Sequence, residues 1–231
     1  MNPPLRVLLI GPESTGKTTL ARTLAARYGE PWVAEFVREH LAAAGRHEVR
    51  FDDLAAIVAG QLDAAARAAR RARRLLICDT APLATAIYAR HYFGRCPPRL
   101  LARARADAHR YAVVLLADTD LPFAADPLRD PAQDRTALRT AFRRTLQRLG
   151  IAHRWLRGRD TTRLAAARAA VEAALRRRRN DAGRLQNSTS CSPCPRPAVS
   201  NPDTVTPSRR TRRGPASVRA SSTARRGSRS A

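Results

Sequence analysis

The sequence predicts an α/β protein built on a parallel sheet. Short apolar runs of strand length recur along the chain, and stretches rich in Ala and Leu with helical character separate them. The first apolar run leads directly into a glycine-containing segment that opens a helix.

Residues 5–10 (LRVLLI) are continuously apolar, as a strand covered on both faces of a sheet requires. Residues 17–28 follow as a helix, with Leu20 and Leu24 one turn apart and no breaker before Gly29. A second strand is expected over 31–36 (PWVAEF), and Asp52 or Asp53 caps a long Ala-rich helix reaching about residue 74. The remaining elements are a strand at 75–78 (LLIC), a helical segment at 98–110, a strand at 112–117 (AVVLLA), a polar loop to about residue 133, a helix ending near Gly150, a strand at 153–156 and a helix from Asp160.

The segment Gly11-Pro12-Glu13-Ser14-Thr15-Gly16-Lys17-Thr18 satisfies G-x-x-x-x-G-K-[ST] in full, after a strand and before a helix. The glycines let the loop curl so that backbone N–H groups converge on a phosphate, and the helix N-terminus adds its positive dipole end. Lys17 is suited to the β and γ phosphates, and the Thr18 hydroxyl to Mg²⁺. Lys17 is also the only lysine of a chain whose other basic residues are all Arg, at a position where a compact point charge is required. Gly11, Glu13, Ser14, Thr15, Gly16, Lys17, Thr18 and Thr19 are therefore the candidate ATP-binding residues. The expected fold becomes the three-layer P-loop fold, with five parallel strands in the kinase-type order 2-3-1-4-5.

A carboxylate for the metal is needed at a neighbouring strand end, and Asp79 and Asp118 both qualify. In the 2-3-1-4-5 order the third strand lies beside the phosphate-loop strand, which favours Asp79 as a Mg²⁺ ligand with Thr18. A helix cap is the alternative role for Asp79, since Thr80 and Pro82 follow.

Four separated blocks, GPESTGKTTLA, WVAEFVRE, CDTAPLAT with YFG, and DLPFAADPLRD, resemble the NadR-type ribosylnicotinamide kinase domain over about residues 5–160. The resemblance implies ATP-dependent phosphorylation of nicotinamide riboside to nicotinamide mononucleotide, a salvage step in NAD biosynthesis. Glu35 and Arg38 match the family's E-x-x-R, which faces the acceptor; a salt bridge one helical turn apart is the alternative. Asp79, Thr80, Thr85 and Tyr88 match its D-T block, in which Asp79 takes the hydroxyl proton or, if engaged with Mg²⁺, leaves that task to Glu35. The segment from Asp120 to Arg129 resembles the family's lid, with Phe123 for Trp and Pro127 for Gly. Arg129 and Arg135 are the lid candidates for holding the transferring phosphoryl group. Multifunctional NadR proteins carry a DNA-binding region and an adenylyltransferase domain before the kinase; this chain starts at the first kinase strand, so neither activity is expected.

The net charge of +24 invites a nucleic-acid partner. The excess is spread along the whole chain, and the dominance of Arg with abundant Ala and Pro reads as the bias of a GC-rich coding sequence, so no specific nucleic-acid binding is expected. Cys191 and Cys194 have metal-like spacing but no second pair or neighbouring His. With no run of 18 apolar residues, no membrane segment is expected and a cytoplasmic protein is. Residues 1–179 are assigned to the P-loop domain. Residues 180–231, rich in Arg, Ser and Pro without an apolar period, are assigned to a disordered tail. Two rivals stay open on sequence: a P-loop ATPase or nucleotide-dependent regulator, and a basic nucleic-acid-binding protein.

Overall fold

A computed structural model describes residues 3–122 and 135–188. Strand β1 (Leu5–Ile10) runs into helix α1 (Lys17–Tyr28), and β2 (Trp32–Val33) into α2 (Phe36–Ala43) and α3 (Asp53–Arg71). After β3 (Leu75–Asp79) come α4 (Pro82–Phe93) and α5 (Pro98–Ala108), then β4 (Val113–Ala117), α6 (Arg135–Arg148), β5 (Arg154–Leu156) and α7 (Asp160–Ser188). All five strands are parallel, in the predicted order β2-β3-β1-β4-β5.

The continuous apolar runs are explained by helices on both faces. Leu8, Ile10, Leu76, Cys78, Val114 and Leu116 point to one side, where α3, α4 and α6 cover them with Ala65, Leu83, Ile87, Leu138 and Phe142. Val7, Leu9, Leu75, Ile77 and Leu115 point to the other, under Leu20 and Leu24 of α1 and Val171 of α7. Each fully buried Leu or Ile among them contributes about 1.5–3 kcal/mol. A third cluster joins Leu54 and Val58 of α3 to Ala86 and Ala89 of α4 and Leu100 of α5. Because the strands are parallel, the C-terminal ends of β1, β3 and β4 share one edge, and Gly11, Asp79 and Asp118 meet there.

Three elements differ from the sequence reading. The second strand is only Trp32–Val33, and Phe36 begins α2 instead of ending the strand. The α4 helix was not predicted; Pro82 sits in its first turn, and Pro82, Leu83, Ala84, Ala86, Ile87 and Ala89 are buried around most of its circumference, which erases the amphipathic period. Helix α7 continues past Arg179 to Ser188, since its run of Arg residues favours helix even without an apolar stripe. The Cys191 and Cys194 pair lies outside the described residues.

Candidate functional site

The phosphate loop is shaped by backbone conformations that most residues avoid. Gly11 has φ 141°, and a Cβ there would stand 2.8 Å from the Ala117 carbonyl oxygen of β4. Ser14 (φ 51°) and Gly16 (φ 74°) are left-handed, curling the chain before α1. The Thr15 hydroxyl donates to the Pro12 carbonyl at 2.7 Å, and Lys17 Nζ reaches across the loop to the same oxygen at 2.5 Å.

Helices on both faces of the sheet hold the loop by its carbonyls. Tyr88 of α4 donates to Gly11 O at 3.3 Å, Arg135 of α6 to Ser14 O at 3.4 Å, and Arg163 of α7 to Thr15 O at 2.5 Å. The C=O and N–H of a trans peptide unit point in opposite directions, so pinning the Ser14 and Thr15 carbonyls leaves the N–H groups of Thr15 and Gly16 on the other side. With the α1 N-terminus beside them, these donors make a concavity suited to an anion.

Asp79, favoured by the strand order, and Asp118 have different partners. The Asp79 carboxyl is 2% exposed and accepts the Thr18 hydroxyl at 2.5 Å. Burial pushes it above the usual carboxylate range, opposed by the Thr18 hydrogen bond and the Lys17 charge. Asp118 is also buried, which acts to raise it, but Arg139 Nη1 (3.0 Å), the Thr119 amide (2.8 Å) and Arg157 Nε (2.9 Å) outweigh burial and hold it below its ordinary value. Asp118 is thus engaged by arginines. Thr18 and Asp79 present adjacent hard oxygen atoms beside the loop, a donor set that fits Mg²⁺, which takes few protein oxygens and completes its shell with water and phosphate. Among the described residues no group of three or more His, Cys, Asp or Glu could hold a metal.

A cleft of about 950 Å³ opens from the loop toward α2, α3 and α4. Glu13, Ser14, Thr15, Gly16, Lys17, Thr18 and Thr19 of the loop line it together with Glu35 and Arg38, His47, Glu48 and Val49, and Tyr88, Tyr92 and Phe93, the two tyrosines standing against the loop. Glu35 is the N-cap residue of α2, yet its carboxylate makes no cap bond to the helix. Burial raises its pKa, the Lys17 charge opposes the shift, and Asp79 adds to it. Arg38 Nε stands 3.7 Å from Glu35 Oε2, so the pair is at once an ion pair and part of the cleft wall. Tyr92 donates to Glu13 at 3.1 Å and its ring lies parallel to that of Tyr88, with centroids 5.8 Å apart.

Glu13 to Thr19 and Glu35 therefore line one cleft, Gly11 packs against Ala117 of β4, Asp79 is bonded to Thr18, and Arg135 is bonded to the loop. Arg129, with Phe123 and Pro127, lies outside the described residues. Gln61 and Arg163, absent from the sequence reading, both hold backbone around the site. Gln61 had a detectable signal: it falls on the same helical stripe as Leu54, Ile57, Val58, Ala65 and Ala68, a polar residue on an apolar face.

The five-stranded parallel sheet and its phosphate loop define a P-loop nucleotide-binding protein with a kinase-type fold, like that of NadR. Residues 6–163 match the AAA domain family, and the chain belongs to it. A crystal structure of NadR protein in complex with NR is similar at TM-score 0.63 and 26% identity, over 74% of this chain and 50% of that one. A second, of NadR protein in complex with NAD and AMP-PNP, gives 0.60 and 24%, over 74% and 49%. The chain spans about half the length of these NadR structures. No curated protein matches it significantly. Among the described residues no helix is long and apolar enough to cross a membrane.

Proposed function

We propose that the chain is an ATP-dependent small-molecule kinase whose acceptor is nicotinamide riboside and whose product is nicotinamide mononucleotide. The observation that carries this reading is one cleft lined both by the phosphate loop and by the uncapped Glu35. Its volume accommodates a triphosphate and a riboside together. The carboxylates of Glu13 and Glu48 and the aromatic rings of Tyr88 and Tyr92 in the cleft suit a cationic pyridinium ring, which supports the riboside as acceptor. The likeness to the NadR protein with bound NR supports the same acceptor.

In this reading Lys17 and the loop amides hold the β and γ phosphates. Thr18 and Asp79 would hold Mg²⁺, which neutralises charge on the phosphate oxygens. The acceptor hydroxyl oxygen bonds to the γ phosphorus as the bond from that phosphorus to the β–γ bridging oxygen breaks, leaving ADP with the electron pair. Glu35 takes the hydroxyl proton, because burial raises its affinity for one and because Asp79 is already engaged by Thr18. Arg135, at the loop, and Arg129 are the arginines assigned to the transferring group.

The test is incubation of the full chain with ATP, Mg²⁺ and nicotinamide riboside, with products followed by mass. Nicotinamide mononucleotide is expected, and Lys17→Ala abolishes it. ATP turnover indifferent to the riboside would replace this reading with an ATPase or a kinase for another acceptor.

A further inference from the structure

Gln61 is 3% exposed on α3, and both ends of its amide are used on one short stretch of backbone. Its Oε1 accepts the Phe36 N–H at 2.8 Å, and its Nε2 donates to the Ala34 carbonyl at 3.2 Å. The residue between these two is Glu35. A planar amide bonded to the peptide groups before and after one residue fixes both the position of that Cα and the rotation of the chain about it. The reverse amide orientation would set oxygen against oxygen and N–H against N–H, so only one arrangement is satisfied.

The neighbouring residue tightens the same contact. A Cβ on Gly60 would fall 2.1–2.5 Å from three Phe36 ring atoms, so the ring that begins α2 lies flat on the α3 backbone. The Glu35 side chain makes no cap hydrogen bond to its own helix and is paired there with Arg38, while α3 holds the chain on either side of it. We propose that Gln61 is the positioning residue for Glu35, setting the carboxylate at its working distance from the phosphate loop. This rests on the reading of Glu35 as the proton acceptor.

A side chain that acts only through Glu35 matters only while Glu35 is a carboxylate, which makes a double-mutant cycle on the full chain the decisive experiment. The rate of riboside phosphorylation and KM for ATP are measured for the wild type, Glu35→Gln, Gln61→Leu, Gln61→Glu and the Glu35→Gln/Gln61→Leu pair. Gln61→Leu is expected to lower kcat by about tenfold to a hundredfold, as misplacement of a catalytic group does, with KM for ATP within about twofold of wild type. In the Glu35→Gln background the same change should cost no further activity. Gln61→Glu keeps the acceptor for Phe36 N–H but sets a carboxylate oxygen against the Ala34 carbonyl, so it should cost at least as much activity as Leu; it carries the test if the Leu variant does not fold. Equal losses in both backgrounds, or a parallel rise in KM for ATP, overturn the positioning role. So does full activity of the Gln61 variants beside an inactive Glu35→Gln, an outcome that leaves the kinase reading standing. Full activity of Glu35→Gln itself overturns the base assignment and the positioning role together.

Discussion

Replacing Arg163 by Met should cost the protein at least about 2 kcal/mol of stability. The side chain is 4% exposed and its guanidinium meets three backbone carbonyls: Thr15 at 2.5 Å, Gly158 at 2.8 Å and Asp118 at 2.9 Å. It also pairs with Asp120. Methionine fills a similar length but donates nothing. Gly158 is exposed and water can take over its carbonyl, whereas the bonds to Thr15 and Asp118 are buried. A buried acceptor left unpaired costs about 1–3 kcal/mol, so these two set the lower bound even if the Asp120 pair contributes nothing. In a protein of this size each kcal/mol moves Tm by about 2–4 °C, which places the variant at least about 4–8 °C below the wild type. Arg163→Lys should recover only part of the loss, because an ammonium cannot span three carbonyls that a planar fork meets at once. Differential scanning calorimetry of the three proteins measures the series. A Tm for Arg163→Met within about 2 °C of wild type would refute the reasoning, since it would mean that water satisfies these carbonyls as well as the guanidinium does.

Two further outcomes follow from the strand ends. Gly11→Ala places a Cβ 2.8 Å from Ala117 O, 3.2 Å from Ala117 N and 3.3 Å from Ala117 Cβ, all in a central strand that cannot move aside. A destabilisation of about 2–4 kcal/mol is expected from urea unfolding, with nucleotide binding weakened in parallel. Glu35, partly buried and facing Lys17, Asp79, Arg38 and Glu13, has a folded pKa above its unfolded one. Its contribution to stability is therefore full below the unfolded pKa and lost as pH rises through the folded value. Glu35→Gln should melt above the wild type at neutral pH, with the gap closing in acid; a gap that widens on acidification would show that the carboxylate is held below its ordinary value instead.

The phosphate loop was legible because an apolar strand, a glycine turn and a helix start are adjacent residues, and the strand order followed from the P-loop fold that this loop marks. The order also favoured Asp79 over Asp118, but the partners that separate the two were not legible, since Thr18 is 61 positions from Asp79, and Arg139 and Arg157 are 21 and 39 positions from Asp118. Helix α4 escaped for the opposite reason: it is so thoroughly enclosed that its pattern no longer has a period, although it supplies Tyr88 and Tyr92 to the cleft. Helix α2 began inside a segment with strand-like residues, where two residues of β2 suffice to pair with β3 before the chain turns at Glu35.

The abundance of arginine takes on a different meaning once these contacts are known. Arg139, Arg157 and Arg163 converge on the backbone and carboxylates beneath the phosphate loop, where a planar fork can join acceptors from several segments. Lys17 is the exception in kind as well as in number. Its ammonium crosses the loop to the Pro12 carbonyl oxygen in the cleft. An incoming phosphate offers a stronger acceptor than that carbonyl, and a flexible point charge can exchange one for the other where a guanidinium fork fixed to several partners could not.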